Sequence, residues 1–66
     1  MYPNLSAELV RHRKTQNDIA NLLGISVSTM SYKMTGKSNF TLDEAMKIHE
    51  FLNADITLTE LFKREG

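Results

Sequence analysis

Apolar side chains recur every three or four positions in five stretches of the chain, and this spacing predicts five α-helices. Four of the stretches follow a hydroxyl residue of the type that caps helix N-termini. The predicted helices run from Asn4 or Ser6 to about Arg13, from Gln16 to Leu23, from Val27 to Thr35, from the residue after Thr41 to Leu52, and from the residue after Thr57 to a last turn containing Lys63 and Arg64. With one Pro and three Gly, the pattern indicates an all-α fold.

The predicted core consists of the inner faces of these helices, and residues 1–4 precede it as a frayed lead-in. Because no second His or Cys stands at metal-ligand spacing, His49 is expected to be a partly buried, hydrogen-bonded histidine. About twenty apolar side chains suffice for one modest core, so residues 1–66 form a single domain. The residues assigned to the inner faces of helices 1, 4 and 5 are Leu5, Leu9, Val10, Leu42, Ala45, Met46, Ile48, His49, Leu52, Leu58, Leu61 and Phe62.

Residues 15–36 predict two short helices joined by a tight turn. Thr15 and Asp18 form an acidic variant of the capping box. Gly24 stands where the first helix must stop and where the backbone needs a positive φ. Ser26 is the next N-cap, and two methionines one turn apart follow on the second helix. This order of elements is typical of the helix-turn-helix DNA reader.

The segment from Thr15 to Phe62 resembles the Cro/C1-type helix-turn-helix family, also called the XRE or phage-repressor-like family. The Phe-Thr-Leu-x-Glu sequence beginning at Phe40 is closest to small phage Cro-like regulators. The resemblance implies a compact five-helix, lambda-repressor-like DNA-binding domain in which helices 2 and 3 form the helix-turn-helix. The residues that match the family pattern in register are Thr15, Gln16, Ala20, Gly24, Ser26, Thr29, Ser31, Gly36 and Lys37.

The resemblance implies that helix 3 reads bases in the major groove while neighbouring segments bind the DNA backbone. The residues expected to read bases are Val27, Ser28, Thr29 and Tyr32. Those expected to contact the backbone are Lys14, Thr15, Gln16, Asn17, Ser26, Ser31, Lys33, Lys37, Ser38 and Asn39, the last three beside exposed backbone N–H groups. No Arg, Asn or Gln lies among the base readers, so specificity is expected to depend on methyl contacts and DNA shape.

These residues also have structural interpretations. The cations from Arg11 to Lys14 stand at the negative end of the first helix dipole. Gln16 is an ordinary exposed first-turn residue, and residues 36–39 are the types that a turn needs. Lys33 and Met34 exchange the family's apolar and polar positions, which predicts a rotated or shortened end of helix 3 with Lys33 within reach of a phosphate.

Net charge is zero, but the charge is polarised along the chain. Residues 1–40 carry five basic and two acidic side chains, whereas residues 41–66 carry three basic and six acidic ones. The positive half therefore coincides with the helix-turn-helix. The chain has no Cys, so disulfides and thiolate metal sites are excluded. It also lacks a long apolar run or signal-peptide plan, and a cytoplasmic location without membrane contact is expected.

The favoured hypothesis is a sequence-specific regulator that binds a double-stranded DNA operator as a homodimer. The neutral net charge and the acidic C-terminal half leave an alternative open, a protein-interaction module (a repressor modulator) that keeps the fold without reading DNA. An enzyme is disfavoured, because His12, His49 and the carboxylates are scattered and no phosphate-cradling glycine run occurs. No cofactor, metal or small-molecule substrate is expected.

Overall fold

The computed structural model describes residues 1–65, and this part of the chain contains five α-helices. They are α1 (Pro3–Arg11), α2 (Gln16–Leu23), α3 (Val27–Thr35), α4 (Leu42–Leu52) and α5 (Leu58–Leu61). The helices enclose one core, with a radius of gyration of 10.5 Å. The prediction of a compact, all-α, five-helix domain is therefore confirmed.

The helix boundaries follow from caps that the sequence encodes locally. Thr15 Oγ1 accepts the Asp18 N–H at 3.2 Å, and the Asp18 carboxylate accepts the Thr15 N–H at 2.9 Å, which completes the predicted capping box. Thr41 and Glu44 repeat this reciprocal pair at the start of α4. Gly24 ends α2 in the left-handed conformation, with φ at 70°. Caps of this kind contribute about 1 kcal/mol each, which is substantial in so short a chain.

The core takes buried side chains from all five helices, with α2 packed on α3 and α4 and with α5 packed on α1 and α4. Its fully buried side chains are Leu5, Ile19, Met30, Ile48, Leu52 and Leu61. Ala20 is 1% exposed in α2, four residues before Gly24, so a larger side chain would overpack the core at this position. The His49 ring is half-buried, and its Nε2 lies 2.8 Å from the Ile56 carbonyl oxygen, which confirms the prediction of a hydrogen-bonded core histidine.

The first residues of the chain are ordered, contrary to the predicted frayed lead-in. Tyr2 is 5% exposed, and its ring makes edge-to-face contacts with Phe40 at 5.3 Å and Phe62 at 5.9 Å. The Glu65 N–H donates to the Met1 carbonyl oxygen at 3.0 Å, which joins the two ends of the described chain. Burial of the Tyr2 ring therefore fixes α1 from its first residue, Pro3.

The ends of helices 1 and 5 and parts of the predicted core also differ from the sequence expectations. The first helix ends at Arg11, and Arg13 adopts a positive φ of 56°. The last helix ends at Leu61, so Lys63 and Arg64 lie beyond it. Three apolar residues assigned to inner faces point to solvent: Val10, Leu42 and Met46 are 77%, 69% and 48% exposed. Within residues 1–65, no helix has the length and apolar character needed to cross a bilayer.

Candidate nucleic-acid interface

Helices α2 and α3 are joined by a three-residue turn, Gly24–Ser26. The Gly24 N–H donates to Asn21 O at 3.3 Å, and the Ile25 N–H donates to Ala20 O at 3.0 Å, so the last carbonyls of α2 are satisfied within the turn. The Ser26 side chain then accepts the Thr29 N–H at 3.1 Å and starts α3. Local hydrogen bonds therefore define the turn between the two helices.

One face of α3 is open to solvent along its whole length. Val27 and Tyr32 are 51% and 55% exposed, while Met30 is fully buried on the opposite side. The exposed residues of this helix are Val27, Ser28, Ser31, Tyr32 and Thr35. This face offers three hydroxyls, a phenol and a valine side chain, which can hydrogen-bond base edges and pack on thymine methyl groups.

The structure changes the position of three residues relative to the expected base-reading set. Ser31, assigned to the DNA backbone, lies one turn after Val27 and Ser28, in the middle of the exposed face. Thr29 is half-buried at its edge, and its Oγ1 accepts the Ser26 hydroxyl at 2.9 Å. Thr35 is exposed on the same face, although the sequence analysis did not select it. In the sequence, only the helical spacing from Val27 and Ser28 could have placed Ser31 and Thr35 on this face.

The N-terminus of α2 borders the same surface as the end of α3. Gln16 and Thr35 both line an open pocket of about 410 Å³, together with Tyr2 and Met34. Thr15 caps α2, and its N–H and that of Asp18 are used by the capping box, whereas Gln16 and Asn17 are exposed in the first turn, where backbone N–H groups have no carbonyl acceptor within the helix. The N–H groups of Gln16 and Asn17 are therefore the ones that could face an anion here, although the Asp18 carboxylate already occupies part of this terminus and Glu65 lines the same pocket.

Lys14 precedes this terminus and is exposed. Its Nζ lies 5.1 Å from the Phe51 ring centroid, a cation–π contact with the C-terminal half of α4. This contact is not a conventional hydrogen bond, so the three N–H groups of the ammonium can still donate to an anion. Lys14 therefore remains available to a phosphate.

Lys33 is not available to a phosphate, which corrects its assignment to the DNA backbone. Its side chain is 10% exposed, and Nζ donates to the Asn39 carbonyl oxygen at 2.9 Å and pairs with Glu44 Oε1 at 3.1 Å. The alkyl stem fills the apolar position of the helix, while the ammonium reaches a carboxylate at the start of α4. α3 continues to Thr35, so it is not shortened as expected, and Lys33 and Met34 are both buried in its last turn.

The contacts of Glu44 lower the pKa of its carboxyl. Burial raises the pKa of its carboxyl, but the Thr41 N–H, the Lys33 ammonium and the Thr41 hydroxyl together outweigh burial and hold the pKa below its ordinary value of 4.5. The carboxylate is therefore ionised at neutral pH and completes the pair. The pair ties the end of α3 to the start of α4.

The loop between these helices carries the remaining predicted backbone contacts. Gly36 ends α3 with φ at 87°, and Lys37, Ser38 and Asn39 are exposed. The N–H groups of Lys37 and Ser38 both donate to the Tyr32 carbonyl oxygen, at 2.9 and 3.2 Å. Those amides are therefore not exposed donors, contrary to expectation, and contacts with an anion would come from the side chains.

Tertiary contacts also pair some of the basic side chains that the sequence assigned to the positive half of the chain. Arg11 pairs with Glu8 at 3.4 Å and with Asp55 at 3.1 Å, so its charge is compensated within the fold, as is that of Lys33. The exposed cations left in the basic half are Arg13, Lys14 and Lys37. The positive field near α2 and α3 is consequently weaker than the sequence indicated.

The sequence matches the BetR domain over residues 4–65. BetR domains are small helical domains associated with regulation and DNA binding. No curated protein and no solved structure matches the chain. Because the match covers nearly the whole chain, this protein belongs to the BetR domain family.

Proposed function

We propose that this protein is a sequence-specific double-stranded DNA-binding transcriptional regulator, a Cro-like repressor of the Cro/C1 type. In this proposal α3 enters the major groove of an operator and α2 lies across the groove. The observation that carries the proposal is the solvent-exposed face of α3, from Val27 to Thr35, which follows the capped turn after α2. The match to a family associated with DNA binding supports it.

The proposed backbone contacts flank that face on both sides. Gln16 and Asn17 would use the N-terminus of α2 on one side, and Lys37 and Ser38 would use the loop after α3 on the other. Phosphate contacts of this kind set the register of the protein on DNA without reading sequence. The α3 face would then read bases through hydroxyls, a valine side chain and Tyr32.

The regulator would act as a homodimer on a near-palindromic operator. Two copies related by a two-fold axis place their recognition helices in half-sites about 34 Å apart, one turn of DNA. Occupation of promoter DNA would then exclude polymerase. With few exposed cations, binding would depend only weakly on salt. In a plot of log binding constant against log salt concentration, each phosphate neutralised contributes about −0.9 to the slope.

Selection of bound sequences from a pool of random duplexes tests this function, because it returns the site, its symmetry and the half-site spacing together. The variant Ser28→Ala with Ser31→Ala removes two exposed hydroxyls from α3, and we expect a loss of about 1–3 kcal/mol of discrimination for the selected site. Thr59→Ala, an exposed hydroxyl change on α5, serves as the control. Binding that ignores competitor sequence, or a double variant that binds like wild type, would refute sequence reading by α3.

The second candidate function is a protein-interaction module. Leu42 and Met46, one turn apart on α4, expose 69% and 48% of their surface, an apolar feature that a DNA reader does not need. In this case the wild-type protein would shift no duplex from the random pool at low salt, and a Leu42→Ser, Met46→Ser variant would lose its protein partner in a pull-down.

The proposed function involves no turnover and no cofactor. His12 and His49 both have structural partners, since His12 lies 3.3 Å from Glu8 and His49 lies against Ile56 O. Among residues 1–65, no group of three His, Cys, Asp or Glu side chains could hold a metal ion. Turnover that depended on either histidine would overturn this part of the proposal.

A further inference from the structure

Arg64 lies against the loop that follows α3, although it is 28 positions from Gly36 in the sequence. Its Nη2 donates to the Gly36 carbonyl oxygen at 3.3 Å, and its Nη1 donates to Asn39 Oδ1 at 3.4 Å. One guanidinium therefore spans both ends of the loop Gly36–Asn39. The sequence placed Arg64 in the last turn of helix 5, and that position gave no indication of a contact with the loop after α3.

Gly36 leaves the space that this contact needs. A Cβ at Gly36 would stand 2.6 Å from Arg64 Nη2, closer than side chains approach, whereas a Cβ at the other turn glycine, Gly24, meets no atom within 4 Å. Both glycines have positive φ, so the backbone conformation alone accounts for Gly24. At Gly36 an added Cβ would also displace the Arg64 guanidinium, the far end of a flexible side chain, and would so weaken its contact with the loop.

The segment that carries Arg64 is held on both sides. Before it, Phe62 packs edge-to-face on Phe40 and Tyr2 at 5.2 and 5.9 Å. After it, Glu65 and Met1 exchange two hydrogen bonds, Glu65 N–H to Met1 O at 3.0 Å and the Met1 ammonium to Glu65 O at 3.3 Å. The guanidinium also lies 5.6 Å from the centroid of the Tyr2 ring. Arg64 therefore occupies a position fixed by neighbouring contacts.

The charge and most of the donors of Arg64 remain available. A guanidinium has five N–H donors, and the two loop contacts use two of them. Within residues 1–65, no carboxylate lies within 4.0 Å of this guanidinium. The planar, forked group can thus bridge the loop and an external phosphate, which a lysine cannot do with the same geometry.

We propose that Arg64 is a positioning residue of the DNA interface: it fixes the loop Gly36–Asn39 and adds a donor for the phosphodiester backbone of duplex DNA. This inference rests on the proposed function, because the loop is assigned to the DNA backbone there. It brings a cation from the acidic C-terminal half of the chain to the end of α3. The phosphate-binding surface thus includes a residue outside the helix-turn-helix.

The test titrates a labelled random-sequence duplex with wild-type protein and with Arg64→Ala at several salt concentrations. We expect Arg64→Ala to bind roughly tenfold more weakly at low salt and to lose about 0.9 from the salt slope, the value for one phosphate contact. Lys63→Ala is the matched control, since it removes the same charge from the adjacent exposed residue. Equal effects of the two variants would show that only net charge matters and would overturn the proposal.

The conservative variant Arg64→Lys separates charge from positioning. It should retain most of the salt slope yet bind more weakly than wild type, because an ammonium cannot hold Gly36 O and Asn39 Oδ1 while donating to a phosphate. Wild-type affinity in Arg64→Lys would overturn the positioning role.

Amide hydrogen exchange in the DNA-free protein supplies a readout that does not depend on binding. The N–H groups of Lys37 and Ser38, which donate to Tyr32 O, should exchange faster in Arg64→Ala and at wild-type rates in Lys63→Ala. Unchanged exchange in Arg64→Ala would refute the fixing of the loop. If wild-type protein binds no duplex, the proposed function fails and takes this inference with it. If wild type binds and Arg64→Ala binds equally, only the inference fails.

Discussion

The ion pair between Lys33 and Glu44 joins the end of α3 to the start of α4 and offers a direct measure of how this site is held together. The charged atoms are 3.1 Å apart, and the side chains are 10% and 20% exposed. At an effective dielectric of about 20, that separation corresponds to about 5 kcal/mol of attraction before desolvation is subtracted. Desolvation of both groups offsets most of this attraction, which leaves a net coupling of about 1–2 kcal/mol.

Lys33→Met removes the ammonium and keeps an unbranched stem in the buried position. We expect it to lower the free energy of unfolding by about 1–2 kcal/mol, because Glu44 keeps its charge and loses its cation. The double variant Lys33→Met with Glu44→Gln should recover part of this loss, since no unpaired charge remains. Urea unfolding followed by circular dichroism measures all four corners of the cycle.

The pH dependence provides a second check on the same pair. Folding lowers the pKa of Glu44, so the ionised carboxylate stabilises the fold above the pKa of the unfolded chain, and the stabilisation is lost as the pH falls through the lower folded-state pKa. The coupling energy should therefore be complete at neutral pH and should vanish in acid. Lys47→Met, an exposed change of equal charge on α4, should shift stability by less than about 0.5 kcal/mol. A coupling below about 0.3 kcal/mol at neutral pH, within the additivity expected of independent sites, would refute this reasoning.

Three further changes test the backbone and the N-terminus by the same urea assay. Gly24→Ala should cost about 1–2 kcal/mol through its φ of 70° alone, because an added Cβ meets nothing within 4 Å; an unchanged midpoint would contradict the left-handed turn. Arg13→Gly should raise the free energy of unfolding by about 0.5–1 kcal/mol by relieving a φ of 56°, and a destabilised variant would show that the Arg13 side chain outweighs this strain. Tyr2→Ala should cost about 3 kcal/mol, since the ring is 5% exposed among two other aromatic rings, whereas a frayed N-terminus would give no change.

The loop after α3 is positioned by contacts from three parts of the chain. Lys33 holds the Asn39 carbonyl oxygen from within α3, Arg64 holds both ends of the loop from the C-terminal segment, and Phe40 packs against the aromatic ring of Tyr2. Such multiple attachment limits the number of conformations that the loop can adopt before binding. A loop ordered in advance loses less conformational entropy when it meets a phosphate backbone.

Most of the secondary structure could be predicted because its causes are local. The hydroxyl and carboxylate of each capping box are three residues apart, and Gly24 needs only its own freedom at positive φ. The α2 and α3 boundaries, Gln16–Leu23 and Val27–Thr35, therefore agree with the sequence expectation to the residue. Helix ends without such signals, after Arg11 and after Leu61, were placed too late.

The candidate site was predicted less completely, because its residues depend on which faces become buried. A periodic stripe identifies a helix face only when every apolar residue on it is buried, and exposed Met46 and buried Lys33 both break that assumption. The structure also places Ser31 in the exposed face of α3 and leaves Thr29 half-buried, hydrogen-bonded to Ser26. Lysine is the difficult residue here, since its stem packs like an apolar side chain while its ammonium needs a partner.

By itself, the sequence determined the five helices, their caps and the turn between α2 and α3, because the hydrogen bonds that define them join residues only a few positions apart. Only the tertiary structure decided which cations remain available, how Tyr2 anchors the N-terminus and where Arg64 lies. Those contacts join residues up to 60 positions apart, as between Tyr2 and Phe62, and they form only after burial of the apolar faces has brought distant segments together.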